Sequence, residues 1–174
     1  MRDVLVTGSV AASFELTWRP AGRDDSGLLR SLFAAARPDL ALVPDPVRDQ
    51  LLNLQFEAQR DQYRRLAPDA VDWIVEIEHA GRLEPVGRCY LWPGPREHRL
   101  LDLAIHPRWR GRGVGGAVLE RLCADAARAG VPLRLSVWAA NEDARRLYDR
   151  LGFVPEDQAA TGYVALRWSA EDAR

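Results

Sequence analysis

The chain of 174 residues has few cysteines, no long apolar run and almost no net charge. Its two cysteines, Cys89 and Cys123, lie in apolar stretches without a partner at metal-ligand spacing, so we expect buried reduced thiols and no metal. No segment approaches the ~18 continuous apolar residues of a membrane span. The formal charge of -1 argues against a membrane surface or a nucleic acid as partner. Together these features predict a cytoplasmic protein.

The length and a hydrophobic fraction of 47% predict a single domain over residues 1–174, with an irregular leader over 1–12. Alternating apolar residues predict a first strand over 13–21. Two helical stretches follow over 27–37 and 47–66, each bounded by prolines. The chain therefore begins with the order strand, helix, helix.

From Val71 onward the apolar period changes to two, which predicts three strands of a meander joined by turns at 81–84 and 94–97. A glycine–arginine stretch and a helix with Gly130 as its C-cap come next. A strand, a short helix that stops at Gly152 and two final strands complete the chain. The order β-α-α-β-β-β-α-β-α-β-β indicates an α/β (α+β) fold, with a mixed sheet of about seven strands flanked by about four helices.

The glycine–arginine stretch is HPRWRGRGVGGAVLERL, residues 106–122, between an apolar run and an amphipathic segment. Glycines let a backbone curl and approach a ligand closely, and the first amides of a helix lack intrahelical partners. Those amides, the helix dipole and the arginines together predict an anion site that suits pyrophosphate. The stretch is not a P-loop, because no Gly-Lys-Ser/Thr follows, and its glycines are out of register for a dinucleotide fingerprint. Taken alone, it also fits an incidental basic turn.

Two motifs resemble signatures of the GNAT superfamily of N-acetyltransferases. Residues 110–115 follow its acetyl-CoA loop pattern, Arg/Gln-x-x-Gly-x-Gly/Ala, and residues 141–153, NEDARRLYDRLGF, follow Asn-x-x-Ala-x-x-Leu-Tyr-x-x-x-Gly-Phe. The predicted element order also agrees with the family's fold from about residue 14 to 168. In the second helix, LLNLQFEAQRDQY resembles a bacterial branch whose substrates are mostly undefined. The resemblance implies a GNAT fold and an acetyl-CoA-dependent acyltransferase.

The resemblance further implies that coenzyme A is bound largely by main-chain groups. The backbone of the glycine loop is expected to wrap the pyrophosphate, and the strand before it to offer peptide groups to the pantetheine arm. An amide near Ile105 is expected to face the thioester carbonyl and to stabilise the developing oxyanion. Asn141 is expected to hydrogen-bond the arm, to cap the last helix, or both. The expected cofactor-binding residues are Leu103, Ala104, Ile105, Arg110, Gly111, Arg112, Gly113, Val114, Gly115, Gly116, Asn141 and Arg145.

Tyr148 lies two helical turns after Asn141 and so shares its face of the helix. The resemblance places its hydroxyl near the sulfur of the cofactor. A phenol with a pKa of about 10 can protonate a departing thiolate, so Tyr148 is the expected general acid. The alternative is a core aromatic residue with a satisfied hydroxyl.

The acceptor side is less defined. Asp102 is the one carboxylate in the strand over 98–106, and it is a candidate base. The alternatives are a loop-anchoring or solvent-facing aspartate, or a water relay, since Arg99 stands where some relatives carry a glutamate. Gln55 and Gln59 lie on neighbouring turns of the second helix and are candidates for the acceptor pocket or for a solvated face.

We therefore expect the acetyl group to move from acetyl-CoA directly to a primary amine of a small molecule or peptide. Neither cysteine falls in a matched motif where a nucleophile is expected, which favours direct attack. The alternative is a non-catalytic CoA-binding sensor or interaction module on the same fold, since a clear base is missing. No nucleic-acid, membrane or metal partner is expected, and a homodimer is left open.

Overall fold

The computed structural model describes residues 15–40, 42–156 and 162–172, and its element order confirms the predicted one. The expected leader over 1–12 and the start of the first predicted strand lie outside the described residues. The strands are β1 (Leu16–Pro20), β2 (Val71–His79), β3 (Arg82–Pro93), β4 (His98–Ile105), β5 (Leu133–Trp138), β6 (Val154–Pro155) and β7 (Tyr163–Trp168). The α-helices are α1 (Ser26–Ala35), α2 (Asp45–Leu66), α3 (Val114–Ala129) and α4 (Glu142–Arg150).

The turn between β2 and β3 is tighter than the sequence suggested. His79 pairs with Arg82, so only Ala80 and Gly81 lie between the strands, with positive φ angles of 52° and 74°. Such two-residue turns follow the right-handed twist of the paired strands. The predicted turn at 81–84 is wrong, because β3 already begins at Arg82.

The sheet, in the order β1-β2-β3-β4-β5-β7-β6, is covered by helices on both faces. On one face α3 packs into the main core, where Leu119 and Val75 are fully buried. On the other face α1 and α2 contribute Leu29 and Phe56, which pack with Ile74. Successive strand residues such as Ile74 and Val75 point to opposite faces, so β2 contributes to both layers.

β4 and β5 run parallel for only a short distance. The paired residues are 98–100 of β4 and 133–135 of β5. In the ladder with β3, two successive β3 residues pair with Leu100 and Asp102, so Leu101 is an extra, bulged residue. Beyond the bulge, β4 pairs with β3 and β5 with β7 in the described ladders. The two strands therefore diverge and leave what we call the β4–β5 gap.

α3 and α4, which flank this gap, begin and end at the residues that their sequences predict. α3 starts after Gly113 (φ 87°) and stops at Gly130 (φ 67°), both in the left-handed region that favours glycine. The side chain of Asn141 caps α4, and Gly152 (φ 84°) follows that helix. The residues at these ends determine where the first turn of each helix lies relative to the gap.

Candidate active site

A cavity of about 180 Å³ occupies the β4–β5 gap. It brings together four residues expected from the sequence, because Asp102 and Leu103 line it from β4 and Asn141 and Tyr148 line it from the other side. The other lining residues, most of which have apolar side chains, are Leu100, Leu101, Leu135, Ser136, Val137, Trp138 and Ala144. A thin ligand arm can therefore enter between the two strands without breaking a described ladder.

The main chain of β4 alternates between β3 and the gap. The amide of His106 donates to the carbonyl of Val86 at 2.8 Å, so the peptide groups of alternate residues, Ala104 among them, face β3. The peptide groups of Leu103 and Ile105 therefore face the gap, where an extended ligand can hydrogen-bond them. Leu103 and Ile105 thus direct their main chain toward the gap and Ala104 directs its main chain toward β3, while contacts of these residues with a cofactor stay predictions.

The glycine loop before α3 leaves open space next to its backbone. Gly111 and Gly113 have positive φ angles of 70° and 87°, and a Cβ at either position would meet no atom within 4 Å. The amides of Val114, Gly115 and Gly116 belong to the first turn of α3 and lack intrahelical acceptors. Together the loop and the helix start form a cradle that favours an anion.

Gly115 and Gly116 have a second role in the packing of α3. A Cβ at Gly115 would lie 3.8 Å from side-chain atoms of Ile105 and Leu147, and one at Gly116 would lie 3.8 Å from Leu147. The start of α3 therefore fits closely between β4 and α4, which carries the cradle to the mouth of the gap.

The arginines of the loop are held by contacts that offset their mutual repulsion. Arg108 and Arg112 place their guanidinium groups 5.4 and 5.2 Å from the ring centre of Trp109, which is 3% exposed. Nε of Arg110 donates to the carbonyl of Ile105 at 2.8 Å, on the gap side of β4. The arginines thus fix the shape of the loop while keeping positive charge beside the cradle.

Asn141 and Arg145 stabilise the connection from β5 to α4. Oδ1 of Asn141 accepts a hydrogen bond from the amide of Ala144 at 3.2 Å, which confirms the N-cap interpretation. Arg145 donates to the carbonyl of Ala139 at 3.2 Å. Contacts of Asn141 and Arg145 with a cofactor stay predictions.

Tyr148 lines the gap with its side chain largely buried. Its ring meets that of Phe153 edge to face, with centroids 5.4 Å apart. Among the described residues, no group hydrogen-bonds its hydroxyl. Burial, together with the negative charge of Asp102, raises the pKa of Tyr148 to about 12. The phenol therefore keeps its proton at neutral pH and is available to a ligand.

Asp102 is bound into a network that lies mostly under α1 and α2. Arg88, 4% exposed in the middle of β3, donates to both oxygens of Asp72 at 2.6 and 2.8 Å and to Asp102 at 3.1 Å. Burial raises the pKa of Asp102 above its usual range, the charge of Arg88 opposes this, and the charge of Asp72 adds to it. The carboxylate that lines the gap is thus held in place by one guanidinium group.

The two predicted glutamines differ in their position. Gln59 shares a cavity of about 200 Å³ with Arg88 and Asp102. Gln55 accepts a hydrogen bond from Arg37, which lines the same cavity. Gln59 therefore lies beside the candidate base, whereas Gln55 reaches that cavity through Arg37.

Three residues at this site were not predicted from the sequence: Tyr63, Arg88 and Asp72. The hydroxyl of Tyr63, on α2, donates to the carbonyl of the bulged Leu101 at 3.2 Å, and burial raises the pKa of Tyr63 above its usual range. The available signal for the other two was charge inside apolar strands, PVGRCYLWP and VDWIVEIEHA. A buried charge requires a partner of opposite sign.

Cys89 and Cys123 are free and buried, as predicted. Burial raises the pKa of Cys123 to about 12 and that of Cys89 above its usual range, so both stay protonated at neutral pH. Within the described ranges, no three His, Cys, Asp or Glu side chains are grouped closely enough to hold a metal ion. None of the helices in that part of the chain is long and apolar enough to span a membrane.

The model of the family described as "Acetyltransferase (GNAT) family" matches residues 31–153, more than two thirds of the chain. The matched region contains the glycine loop, β4, β5 and α4. No curated protein matches the sequence.

Solved structures of acetyltransferases share the fold. PaiA N-acetyltransferase from Thermoplasma acidophilum, in complex with coenzyme A, has a TM-score of 0.63 at 14% identity, over 88% of this chain and 98% of that one. A Corynebacterium glutamicum protein described as histone acetyltransferase HPA2 and related acetyltransferase has a TM-score of 0.60 at 24% identity, over 88% of this chain and 96% of that one. A GNAT family acetyltransferase from Elizabethkingia anophelis, with acetyl-CoA bound, has a TM-score of 0.54 at 16% identity, over 88% of this chain and 97% of that one. At these identities the likeness concerns the fold alone.

Proposed function

The chain belongs to the GNAT acetyltransferase family and is an acyltransferase, and we propose that it moves the acetyl group of acetyl-CoA directly to a primary amine of a small molecule or peptide. The main support is the β4–β5 gap, in which Tyr148 and Asp102 line one cavity at the end of an open glycine cradle. Two solved structures of the same fold hold coenzyme A or acetyl-CoA.

The residues of the chain fit acetyl-CoA along the whole path from the loop to the gap. The open backbone at Gly111 and Gly113 and the first amides of α3 suit the pyrophosphate, with Arg110 and Arg112 supplying charge. The peptide groups of β4 that face the gap suit the pantetheine arm. Asn141 and Arg145, at the start of α4, lie on the other side of that arm.

In the proposed transfer, the amine nitrogen bonds to the acetyl carbonyl carbon, the C–S bond breaks, and the sulfur leaves with the electron pair. Asp102 accepts the proton that the amine must lose, directly or through one water. The amide of Ile105, which faces the gap, stabilises negative charge on the carbonyl oxygen. Tyr148 donates its proton to the departing thiolate.

Two properties of the titrating groups support these roles. Its raised pKa of about 12 keeps Tyr148 protonated until a thiolate develops beside it. Asp102 is a lining residue of the gap, and a hydrogen bond from Arg88 at 3.1 Å holds its carboxylate in place. Gln59, in the adjoining cavity, is proposed to contact the acceptor, with Gln55 behind it.

Direct transfer is favoured over an acetyl-cysteine intermediate. Cys89 and Cys123 are absent from the lining of the gap, and their raised pKa values disfavour the thiolate that a nucleophile needs. Two buried thiols also support the cytoplasmic location, which stays a prediction.

The test is release of coenzyme A thiol from acetyl-CoA against a panel of amines, peptides and aminoglycosides. The proposal predicts thiol release in equal amount to an N-acetylated product identified by mass. The chain contains no lysine, so acetylation of its own lysine side chains cannot mimic turnover. Tight binding of acetyl-CoA without turnover on a broad panel would instead support the CoA-binding sensor or interaction module.

A further inference from the structure

A third cavity, of about 470 Å³, lies on the α2 side of the sheet and is larger than the cavity in the gap. It is bounded by the segment after β1, the C-terminal half of α2, and strands β2 and β3. We call it the arginine cleft, because four of its lining residues are Arg23, Arg60, Arg64 and Arg88. Its one lining carboxylate, Asp72, has both oxygens occupied by Arg88.

Three of these arginines are available to a ligand. Arg60 and Arg64, one turn apart on α2, contact the exposed Glu57 and Asp61 at 3.2 and 3.3 Å. Exposed ion pairs of this kind contribute little and are easily exchanged. The side chain of Arg23 has no hydrogen-bond or ion-pair partner among the residues that the structure describes. The lining of the cleft therefore carries four guanidinium groups and one carboxylate, and only exposed ion pairs compete for Arg60 and Arg64.

The arginine cleft and the β4–β5 gap are separated by one guanidinium group. Arg88 binds Asp72, which lines the cleft, and Asp102, which lines the gap. Tyr63 lines the cleft too, and its hydroxyl reaches the carbonyl of Leu101 at the edge of the gap. Arg88 therefore lines the cleft and also contacts the candidate base at 3.1 Å.

The walls of the cleft suit a small organic acceptor. The rings of Tyr63 and Tyr90 lie 5.1 Å apart, and the guanidinium of Arg88 lies 5.0 Å from the ring centre of Tyr90. Guanidinium groups bind carboxylate and phosphate with two parallel hydrogen bonds, which gives both affinity and orientation.

We propose that the arginine cleft binds an anionic group of the acceptor, a carboxylate or a phosphate, so that the acceptors of this enzyme are amines that also carry negative charge. The inference rests on the proposed function, since it assigns the class of acceptor for the same site. Arg60, Arg64 and Arg23 hold the anion, and the amine end projects past Tyr63 toward Asp102.

The test compares amines that differ only in the anion. The standard amino acids are assayed beside their amides, and phosphoethanolamine beside ethanolamine, by thiol release from acetyl-CoA. We expect the best anionic acceptor to exceed its neutral partner in kcat/KM by on the order of 10-fold or more. The amino-acid and phosphate arms show which anion is preferred.

Arginine variants test whether the arginine cleft causes the preference for anionic acceptors. Arg60→Gln with Arg64→Gln is expected to remove the advantage of the anionic acceptor, mainly through KM, and to change the rate with the neutral partner far less. Arg65→Gln, at the next, exposed position of the same helix, is the matched control and is expected to keep the preference. Each variant is compared with the parent chain on the same pair of amines, so differences in basicity between the two amines cancel.

Binding of the same pairs to the full chain saturated with coenzyme A, measured by calorimetry, tests the cleft independently of turnover. Anion-dependent binding that is lost in the double variant supports the arginine cleft even if no panel amine is acetylated, in which case the proposed function fails alone. Equal binding and equal rates for charged and neutral partners, or equal losses in both on mutation, would overturn the inference.

Discussion

The two sides of the β4–β5 gap are built on different principles. On the cofactor side, the groups aimed at a ligand are main-chain atoms: the glycine loop with its open space, the first amides of α3 and the inward peptide groups of β4. On the acceptor side, they are side chains from several elements, with Arg88 joining Asp72 to Asp102 and Tyr63 reaching from α2. Main-chain sites depend on local conformation, whereas side-chain networks depend on tertiary packing and vary independently of the fold.

The largest effect is expected at Tyr148, where the two sides meet. Tyr148→Phe keeps the ring and its contact with Phe153 but removes the proton, so kcat should fall about 10²-fold. The loss lies at the low end for a general acid, because a thiolate with a pKa of about 8.5 is already a fair leaving group. Affinity for acetyl-CoA, measured by calorimetry, should be nearly unchanged. Tyr163→Phe, on an exposed tyrosine, is the control, and a parent-like rate for Tyr148→Phe across pH would make Tyr148 a packing residue.

Gly113→Ala tests the main-chain side. Gly113 and Gly130 both have positive φ, and a Cβ at either would meet no atom within 4 Å, so each alanine variant should lose about 1 kcal/mol of stability. Only Gly113 borders the cradle, so only Gly113→Ala should also weaken acetyl-CoA binding, by about 10-fold or more. Calorimetry with thermal melts checks both values. An unchanged affinity of Gly113→Ala for acetyl-CoA, or an equal loss of that affinity in Gly130→Ala, would contradict a pyrophosphate site in this loop.

The pH dependence of kcat/KM tests the side-chain network of Arg88, Asp72 and Asp102. In the proposed transfer Asp102 must be deprotonated to act as the base, so its pKa is expected to set one acid limb of kcat/KM. Arg88→Met removes a positive charge that lowers this pKa, and the limb should move up by about one unit. Asp72→Asn removes a negative charge that raises it, and the limb should move down.

Shifts of the acid limb in opposite directions in Arg88→Met and Asp72→Asn distinguish an electrostatic role of these two residues from a merely structural one. The charged groups that interact with Asp102 are Arg88 and Asp72. The titratable groups Tyr63, Tyr148 and Cys89 also interact with it, but their raised pKa values keep them neutral over the tested range. The titration of the amine itself is common to all variants. Shifts of the same sign in both variants, with both folded by thermal melt, would exclude Asp102 as the base.

The smallest effect is expected at the cysteines. Replacing both Cys89 and Cys123 by alanine should lower stability by about 1–2 kcal/mol per site, because both are buried, and leave kcat within a factor of about two. Thermal melts and thiol release measure the two effects. Trapping of a competent acetyl-cysteine in the parent chain would contradict direct transfer.

The helix ends beside the gap were largely predictable because their signals are local. Gly113, Gly130 and Asn141 mark helix ends through their own conformational preferences, and the structure places each at such an end. The divergence of β4 and β5 was not predictable in the same way. It depends on the bulged Leu101, whose extra place in the ladder is a matter of register with β3.

The acceptor side was less predictable for the same reason. Arg88 lies 16 residues from Asp72 and 14 from Asp102, and no periodicity of a single strand joins them. Gln55 and Gln59 share a face of α2 in sequence, but only Gln59 shares a cavity with Asp102. The packing of α2 on the sheet decides which glutamine faces inward.

Amide hydrogen exchange with and without acetyl-CoA tests most directly whether the cofactor is bound by main-chain groups in the β4–β5 gap. We predict that acetyl-CoA slows exchange in the first turn of α3, Val114 to Gly116, and at Leu103 and Ile105 of β4. The amides of α2 should exchange at an unchanged rate, because that helix belongs to the acceptor side. Slower exchange confined to α2, with none in the glycine loop or β4, would contradict the account.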